Sequence, residues 1–368
     1  MTSPADGPSS VQTVSVDLGD RSYPIEIASG LLADAADRIA GQVKLSKVVV
    51  VSDTNVAPLY AQSLLQALSQ VCDATLLTVP AGESSKSVAQ LQSLWHDVLA
   101  FGADRKSVVV AVGGGVVGDL AGFVAASFGR GIPFVQVPTS LLAQVDSSVG
   151  GKVGINLPGA KNIVGAFWQP QYVLIDTDVL TTLPEREYRA GLAEVIKYGV
   201  IADEQFFAYL EEHIEAIKSR DPAIMQCVIR RCCEIKAEVV RDDEREQSGR
   251  RAILNYGHTY GHALEAITGY TTFVHGEAIA IGMVCAARLA EQLGRIDEDL
   301  GRRQKRLFEE VGLPTEMPDC DHDQMLELMG RDKKVEHGQL RLILPTRMGH
   351  VELVADTDHA EIRRSFCG

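Results

Sequence analysis

Three histidines within eighteen residues could bind a metal ion. His258 and His262 are four residues apart in "NYGHTYGHALE", and His275 follows in "VHGEAIAIG". Residues four apart share one face of a helix, so His258 and His262 could hold one ion. The HExxH zinc motif is absent, because Thr259 follows the first histidine. A catalytic zinc site needs three protein ligands, and Glu194 in "RAGLAEVIKYG" is a fourth candidate. Spacing alone does not select three of these four side chains.

The segment "RRAILNYGHTYGH" places further polar residues at helical spacing. If it forms one helix, a single face carries Arg251, Asn255, His258 and His262. The opposite face would carry Ala252, Tyr256, Thr259 and Ala263. That face is not strongly apolar, which weakens the alternative that the polar face is simply solvated. Ligand binding and a solvated face both remain open from the spacing.

A glycine-rich turn indicates a phosphate site. "SVVVAVGGGVVGDLAGFVAA" has Gly113, Gly115 and Gly118 in a GxGxxG spacing, directly after a predicted strand and at the start of a predicted helix. Glycine lets the backbone approach a pyrophosphate, whose charge is favoured at a helix N-terminus. A tight turn without a ligand is the alternative interpretation.

The acid that commonly follows such a turn by roughly 20 residues is missing, because "PFVQVPTS" contains none. Asp53, after the strand "KVVVVSD", could bind a ribose from another loop. Glu83 and Lys86 in "AGESSKS" could add contacts, although each alone is more typical of an exposed loop. The pattern therefore predicts a variant dinucleotide site.

The segment from Gln144 to Gly165, "QVDSSVGGKVGINLPGAKNIVG", combines five glycines with Asp146, Lys152, Lys161 and Asn162. Backbone amides and lysines in a glycine-rich loop can bind phosphate or carboxylate. A flexible surface loop without a ligand is the alternative.

The pattern of elements predicts two domains. β-branched runs alternate with helical patterns from about Val11 to Pro184, which indicates a parallel sheet with crossover helices. Helical patterns then follow one another, two of them preceded by plausible caps at Asp203 and Asp221, and "QLRLILPTRMGHVELVAD" resembles a hairpin. We expect an α/β nucleotide-binding domain, a Rossmann-like variant, over residues 1–184, and a mainly helical domain over 185–368 that binds metal and substrate. The cleft between two such domains is the default site.

The composition limits the partners. Lys and Arg number 35 against 49 Asp and Glu, for a net charge of −14. This charge argues against general binding to nucleic acid or to an acidic membrane. The seven cysteines show no CxxC pair, and no leader peptide or membrane-spanning run is visible. These features predict a soluble cytoplasmic protein.

Taken together, these segments resemble the 3-dehydroquinate synthase family of the shikimate pathway. The resemblance covers nearly the whole chain and is carried by "GGGVVGDLAGFVAASFGRGI", "VPTSLLAQVDSSVGGKVGINLPGAKNIVGAF", "RAGLAEVIKYG", "EIKAEVVRDDE", "RAILNYGHTYGHALE", "HGEAIAIGM" and "DKKVEHGQLRLILP". It implies one divalent metal, zinc or cobalt, held by Glu194, His258 and His275. His262 would not be a ligand.

The resemblance also implies roles for the other polar residues. The phosphate of the substrate would be bound by Lys152, Asn255, His262, one of Lys333 and Lys334, and Arg130 from the partner subunit of a homodimer. Its carboxylate would pair with Lys236 and Arg251, and its hydroxyls with Asp146, Asn162 and Lys197. The positions implied for NAD are Asp53, Asn55, Glu83, Lys86, Gly114, Gly115, Val116, Val117, Gly118, Asp119, Thr139, Ser140, Lys152, Lys161, Thr181 and Thr182.

The implied substrate is 3-deoxy-D-arabino-heptulosonate 7-phosphate, which is anionic at both ends. The implied reaction is a transient oxidation at C5 by NAD, elimination of phosphate, reduction and an intramolecular aldol closure to 3-dehydroquinate. A local ring of lysines and arginines would attract such an anion to an acidic protein. Three alternatives are a metal-dependent NAD alcohol dehydrogenase of the glycerol type, a cyclase for another sugar phosphate, and a non-catalytic sensor.

Overall fold

The structure is a computed structural model that describes residues 10–330 and 340–367. The chain divides into two compact units. The first consists of the residues up to Leu183 together with Met225–Arg245, and the second of Pro184–Ile224 with the residues from Glu246 onward.

Nine strands belong to the first unit as described. They are β1 (Gln12–Val16), β2 (Tyr23–Ala28), β3 (Lys47–Asp53), β4 (Asp73–Val79), β5 (Val108–Gly113), β6 (Phe134–Pro138), β7 (Lys152–Leu157), β8 (Ala160–Phe167) and β9 (Tyr172–Asp176). Seven of them form one sheet in the order β1-β2-β9-β6-β5-β3-β4. All its neighbouring strands are parallel except β1 and β2. The predicted parallel sheet is confirmed.

Helices cover both faces of this sheet. They are α1 (Ala35–Gln42), α2 (Gln62–Leu68), α3 (Val88–Ala100) and α4 (Gly115–Ser127). Val48 and Val50 of β3 pack with residues of α1 and α2, whereas Val49 and Val51 pack with residues of α3 and α4. All four valines have no exposed surface. A continuous β-branched run is therefore the expected sequence for this strand, because neither face needs polar residues.

The predicted glycine-rich loop is mostly a β-hairpin, formed by β7 and β8. A Cβ atom on Gly154 would lie 2.6 Å from Val164 O, and one on Gly165 would lie 2.1 Å from Val153 O. These glycines therefore allow two strands to approach closely, and they do not make the segment an irregular loop. Periodicity did not reveal the hairpin because the glycines interrupt the apolar alternation.

Helices dominate the second unit. They are α5 (Glu185–Ala202), α6 (Glu204–Glu212), α7 (Ile214–Lys218), α9 (His258–Ile267), α10 (His275–Gln292), α11 (Glu298–Glu310), α12 (His322–Gly330) and α13 (His359–Phe366). The predicted hairpin is present as β10 (Arg341–Arg347) and β11 (His350–Ala355). The cap predicted at Asp203 is also present, because its Oδ1 accepts a hydrogen bond from Phe206 N at 2.9 Å. Within the described ranges, no helix combines the length and hydrophobicity that a membrane span requires.

The helix α8 (Pro222–Asp242) does not follow the predicted division, which placed every residue from 185 onward in the second domain. Asp221 caps it as expected, accepting from Ala223 N at 3.0 Å. Most of α8 nevertheless belongs to the first unit. The physical reason is a set of polar contacts with that unit: Gln226 Nε2 donates to Ile27 O at 3.0 Å, and Lys236 Nζ donates to Asp146 Oδ1 at 2.8 Å.

The segment from Arg251 to His262 is not one helix, so the condition for a shared face is not met. A 3₁₀ helix covers Arg250–Asn255, and α9 begins only at His258. Gly257 separates them with φ at +76°, and a Cβ atom there would lie 2.4 Å from Met283 Cγ. Of the residues expected on the opposite face, Tyr256, Thr259 and Ala263 are buried and Ala252 is half-buried. The Tyr256 hydroxyl donates to Gln304 Oε1 at 2.7 Å.

Candidate functional site

Three helices of the second unit bring Glu194, His258 and His275 together. Glu194 lies in the middle of α5, and the histidines are the first residues of α9 and α10. Glu194 Oε1 is 3.6 Å from His258 Nε2 and 3.8 Å from His275 Nε2. Each of the three residues offers one ligand atom, and these three atoms all lie within 4.8 Å of one another. These are the residues that the family resemblance implies for the metal.

The chemistry of these donors fits a divalent ion such as zinc. His258 Nδ1 is 3.1 Å from Tyr256 O, so it carries the proton and leaves the Nε2 lone pair directed toward Glu194. Glu194 is 1% exposed, and its Oε2 atom forms an ion pair with Lys197 Nζ. Among the described residues, its Oε1 atom has no hydrogen-bond partner. A buried carboxylate oxygen without a partner is costly, and a metal ion would satisfy it.

Glu265 lies behind His275. Its Oε1 atom is 3.7 Å from His275 Nδ1, and the residue is 4% exposed. Burial lowers the pKa of His275, but the Glu265 and Glu194 carboxylates outweigh it, so that pKa is above its ordinary value. Glu265 also forms a second possible ligand group with His262 and His275. Sequence reasoning missed Glu265, although its position three residues after His262 was a usable signal.

Glycines allow the three helices to approach closely enough for this arrangement. A Cβ atom on Gly276 would lie 2.0 Å from Ala190 O, and one on Gly282 would lie 2.2 Å from Gly257 O. Both contacts are with backbone atoms, which cannot rotate away. The position of His275 relative to Glu194 and His258 therefore depends on the absence of side chains at these two points.

The other predicted residues of the second unit have mixed positions. Lys197 is 1% exposed and belongs to the Glu194 cluster. Arg251 is 2% exposed, and its Nε lies 3.7 Å from Glu246 Oε1. Asn255 is the last residue of the 3₁₀ helix, so it does not share a helix face with His262. Lys333 and Lys334 lie outside the described residues.

In the first unit, the glycine turn joins β5 to α4 as predicted. Gly114 precedes the helix, and no side chain caps its first turn. A Cβ atom on Gly115 would lie 3.0 Å from Ser147 Oγ, and one on Gly118 would lie 2.8 Å from Gln136 Oε1. These two glycines allow α4 to pack closely against Ser147 and Gln136. The first-turn amides of such a helix are available to an anion. The residues present therefore fit a phosphate-containing cofactor.

A buried lysine organises the residues beside this turn. Lys86 is 4% exposed, and its Nζ donates to Asp119 Oδ2 at 2.7 Å and also to Asn162 Oδ1. Glu83 Oε1 is 3.6 Å from the same Nζ. Burial lowers the pKa of Lys86, but Asp119 and Glu83 outweigh it and raise the pKa above its ordinary value. Lys86 therefore stays charged, and it is not the solvated loop tip that it resembled in isolation.

The remaining predicted residues of this unit are spread over several elements. Asp53 ends β3, where its Oδ1 accepts hydrogen bonds from Asn55 N and Val56 N at 2.8 and 3.0 Å. Thr182 Oγ1 lies 2.5 Å from the hydroxyl of Tyr60. Lys236 Nζ donates to Asp146, as noted above for α8. The others are Val116 and Val117 in α4, Thr139 and Ser140 after β6, Lys152 and Lys161 on the hairpin, exposed Thr181, and exposed Arg130 after α4.

Comparisons with known proteins identify the family of the chain. The family described as 3-dehydroquinate synthase N-terminal matches residues 76–190, and 3-dehydroquinate synthase C-terminal matches residues 191–335. A 3-dehydroquinate synthase from Rhodopirellula baltica is 51% identical over 359 residues, which cover 96% of each chain.

Two solved structures have closely similar folds. One is a 2-deoxy-scyllo-inosose synthase complexed with carbaglucose-6-phosphate, NAD⁺ and Co²⁺, with a TM-score of 0.87, 27% identity and coverage of 96% of this chain and 99% of that one. The other is a 2-epi-5-epi-valiolone synthase from Streptomyces hygroscopicus with NAD⁺ and Zn²⁺ bound, with a TM-score of 0.86, 30% identity and coverage of 95% and 97%. With both halves matched and half of its residues identical to a relative over nearly full length, the chain belongs to the 3-dehydroquinate synthase family.

Proposed function

We propose that the chain converts 3-deoxy-D-arabino-heptulosonate 7-phosphate to 3-dehydroquinate and phosphate, as a carbon–oxygen lyase. The observation that carries the proposal is the cluster of buried Glu194 with the partly buried His258 and His275, in a chain 51% identical to a 3-dehydroquinate synthase. Sequence identity of about half over the full length supports this activity specifically. The fold alone supports it less specifically, because other sugar phosphate cyclases have the same fold.

Glu194, His258 and His275 would hold one divalent ion, zinc or cobalt. When bound, such an ion supplies Lewis-acid stabilisation of oxygens that gain negative charge. Lys197 and Glu194 lie side by side in the helix α5, and both are 1% exposed. The Lys197 ammonium can therefore donate to a substrate hydroxyl at the edge of the metal site while it offsets the charge of Glu194.

NAD would bind at the turn between β5 and α4, with its pyrophosphate at the amides of Gly114 and Gly115. When bound, NAD supplies a reversible hydride acceptor for the substrate's C5 hydroxyl. Asp53, Glu83, Lys86 and Asp119 are proposed to orient it, together with the other positions that the family resemblance implies. Support comes from the uncapped helix start and the charged Lys86 beside it.

The polar residues bind and orient the two anionic ends of the substrate. His262 and Asn255, with Lys152 and one of Lys333 and Lys334, are proposed to bind the phosphate. The phosphate dianion can accept the C6 proton as it leaves, so these residues need only hold it in place. Arg251 and Lys236 are proposed to bind the carboxylate, and Asp146 and Asn162 the hydroxyls. Both Arg251 and Lys236 are at most 5% exposed, which strengthens their pairing with an anion.

The enzyme is proposed to act as a homodimer in which Arg130 reaches the partner's site. Arg130 is exposed and has φ at +69° between two glycines, Gly129 and Gly131. Nearby in the same unit, the strand β8 exposes Ile163 by 46% and Phe167 by 40%. Exposed apolar side chains grouped on one strand are typical of an interface.

The seven cysteines are all free thiols, which supports a reducing, cytoplasmic location.

The test supplies the heptulosonate phosphate with catalytic amounts of NAD and follows phosphate and dehydroquinate together. Equal release of both products supports the proposal. Steady accumulation of NADH without phosphate release would instead identify an alcohol dehydrogenase. Glucose 6-phosphate is the control substrate, because it lacks the carboxylate that Arg251 and Lys236 would bind, and its turnover in preference to the heptulosonate would favour another sugar phosphate cyclase.

A further inference from the structure

Asn156 is a residue of the hairpin to which neither the proposed chemistry nor the sequence patterns give a role. It lies in β7 where the register with β8 shifts between Ile155 and Leu157. Its backbone N donates to Lys86 O at 2.8 Å. The hairpin is therefore tied directly to the segment that carries Glu83 and Lys86.

The side-chain amide of Asn156 makes two hydrogen bonds of opposite sense. Its Nδ2 donates to Glu83 Oε1 at 2.8 Å, and its Oδ1 accepts from Asn162 N at 2.8 Å. The Glu83 carboxylate can only accept a hydrogen bond, and the backbone N–H of Asn162 can only donate one. These two partners therefore fix which end of the Asn156 side chain is the oxygen and which is the nitrogen. Asparagine supplies both a donor and an acceptor at this reach.

The bond to Asn162 matters because of the conformation of that residue. Asn162 has φ at +51°, in the left-handed region that asparagine adopts more readily than most residues. Its own Oδ1 accepts from Lys86 Nζ. Asn156, Asn162, Lys86 and Glu83 therefore form a closed ring of polar contacts, completed by the 3.6 Å approach of Lys86 Nζ to Glu83 Oε1.

We propose that Asn156 is a positioning residue that holds Glu83 and, through Asn162, Lys86 in the arrangement that binds NAD. It touches neither NAD nor substrate and acts through these neighbours. The inference rests on the proposed use of NAD and adds a residue to that site. It also explains why a glycine-containing hairpin carries Asn156 and Asn162 six residues apart, since the turn between them closes the ring.

The test is a double-mutant cycle on NAD affinity, measured by calorimetry without substrate. Asn156→Asp keeps an acceptor for Asn162 N but places a carboxylate against Glu83. We expect it to weaken NAD binding by about tenfold in the otherwise unchanged protein, since a charge-assisted hydrogen bond becomes a repulsion. In a Glu83→Gln background, the new amide at position 83 can donate to the new carboxylate at position 156. Asn156→Asp should then weaken NAD affinity by less than about threefold.

Gln70→Glu is the matched control, because it makes the same amide-to-carboxylate change at an exposed residue after α2 and should leave NAD affinity unchanged. If Asn156→Asp does not fold, Asn156→Ser enters the same cycle: it should lose a charge-assisted hydrogen bond to Glu83 in the otherwise unchanged protein and only a neutral one in the Glu83→Gln background, so its cost in NAD affinity should again be smaller in that background. Equal losses in both backgrounds, or no loss in either, would overturn the inference. Absence of NAD binding by the unsubstituted protein would overturn it together with the proposed function, whereas NAD binding without phosphate release would contradict the proposed function alone.

Discussion

Glu194 Oε1 lies 3.6 Å from His258 Nε2, and no described hydrogen-bond donor competes for that oxygen. His262 follows His258 by one helical turn, with the ring centroids 5.4 Å apart and the planes at 82°. The two histidines therefore share a helix but face different neighbours. The described residues contain two possible groups of metal ligands that share His275. The first group adds Glu194 and His258, and the second adds His262 and Glu265.

The first prediction separates these two groups. Glu194→Gln and His258→Ala should each reduce bound zinc to a small fraction, because both remove a proposed ligand. His262→Ala should retain the metal and lower the turnover rate by about tenfold or more, because it removes a group proposed to position the phosphate. Elemental analysis of the three purified variants, with steady-state rates, checks both statements. An empty site in His262→Ala with a full site in Glu194→Gln would instead assign the metal to the second group.

The second prediction concerns Glu265, which is 4% exposed and lies 3.7 Å from His275 Nδ1. A carboxylate behind a ligating histidine fixes the ring and raises its basicity. Glu265→Gln should therefore weaken zinc affinity by about 10- to 100-fold without abolishing binding. Competition with a chelator measures this change. Glu291→Gln, the same substitution near the C-terminal end of α10 and away from the histidines, should leave the affinity unchanged, and an equal effect there would show that Glu265 has no special role.

The elements that local sequence determines were predicted from it. The valines of β3 and β5 indicated strands covered on both faces, and the glycines after β5 indicated a turn into a helix. Each of these features depends on residues a few positions apart. The same is true of the caps at Asp203 and Asp221, whose bonds reach only two or three residues along the chain.

The features that sequence did not predict depend on distant partners. The break at Gly257 exists because the backbone must pass Met283, and α8 joins the first unit through bonds such as that from Gln226 to Ile27 O. In the candidate site, spacing identified four possible ligands but could not select three, because Glu194 is 64 residues from His258 along the chain. Asn156 was missed for the same reason, since one of its two partners, Glu83, is 73 residues away along the chain.

The third prediction tests the close approach of α10 to α5. A Cβ atom on Gly276 would lie 2.0 Å from Ala190 O. Gly276→Ala must push the helices apart, so we expect a loss of about 2–3 kcal/mol in the free energy of unfolding and a lower zinc content. Gly301→Ala is the control within α11, where the nearest atom would be 3.7 Å away, and it should stabilise the protein by about 0.5–1 kcal/mol. Urea unfolding compares the two, and similar stability would show that α10 has room to move.

The fourth prediction concerns the pH dependence of stability through Glu244, just beyond α8. Arg21 Nη2 donates to Glu244 Oε2 at 2.5 Å, and Gln169 Nε2 donates to Oε1 at 3.0 Å. Burial raises the pKa of Glu244, but these hydrogen bonds outweigh it and hold the pKa below the ordinary value of 4.5. Because the pKa in the folded state is lower than in the unfolded state, the ionised carboxylate stabilises the fold. That contribution is fully present above about pH 4.5 and is lost as the pH falls through the folded-state pKa.

Glu244→Gln should therefore lower the free energy of unfolding at pH 7, and the difference from the unsubstituted protein should shrink below about pH 4.5. The effect at pH 7 should be less than about 1 kcal/mol, because the Arg21 side chain is 55% exposed and its pairing is screened by water. Arg21→Gln removes the same ion pair from the other side and should follow a similar pH dependence. Urea unfolding at pH 7, 5 and 4 measures it, and a difference that stayed constant down to pH 4 would show that Glu244 contributes through packing and not through its charge.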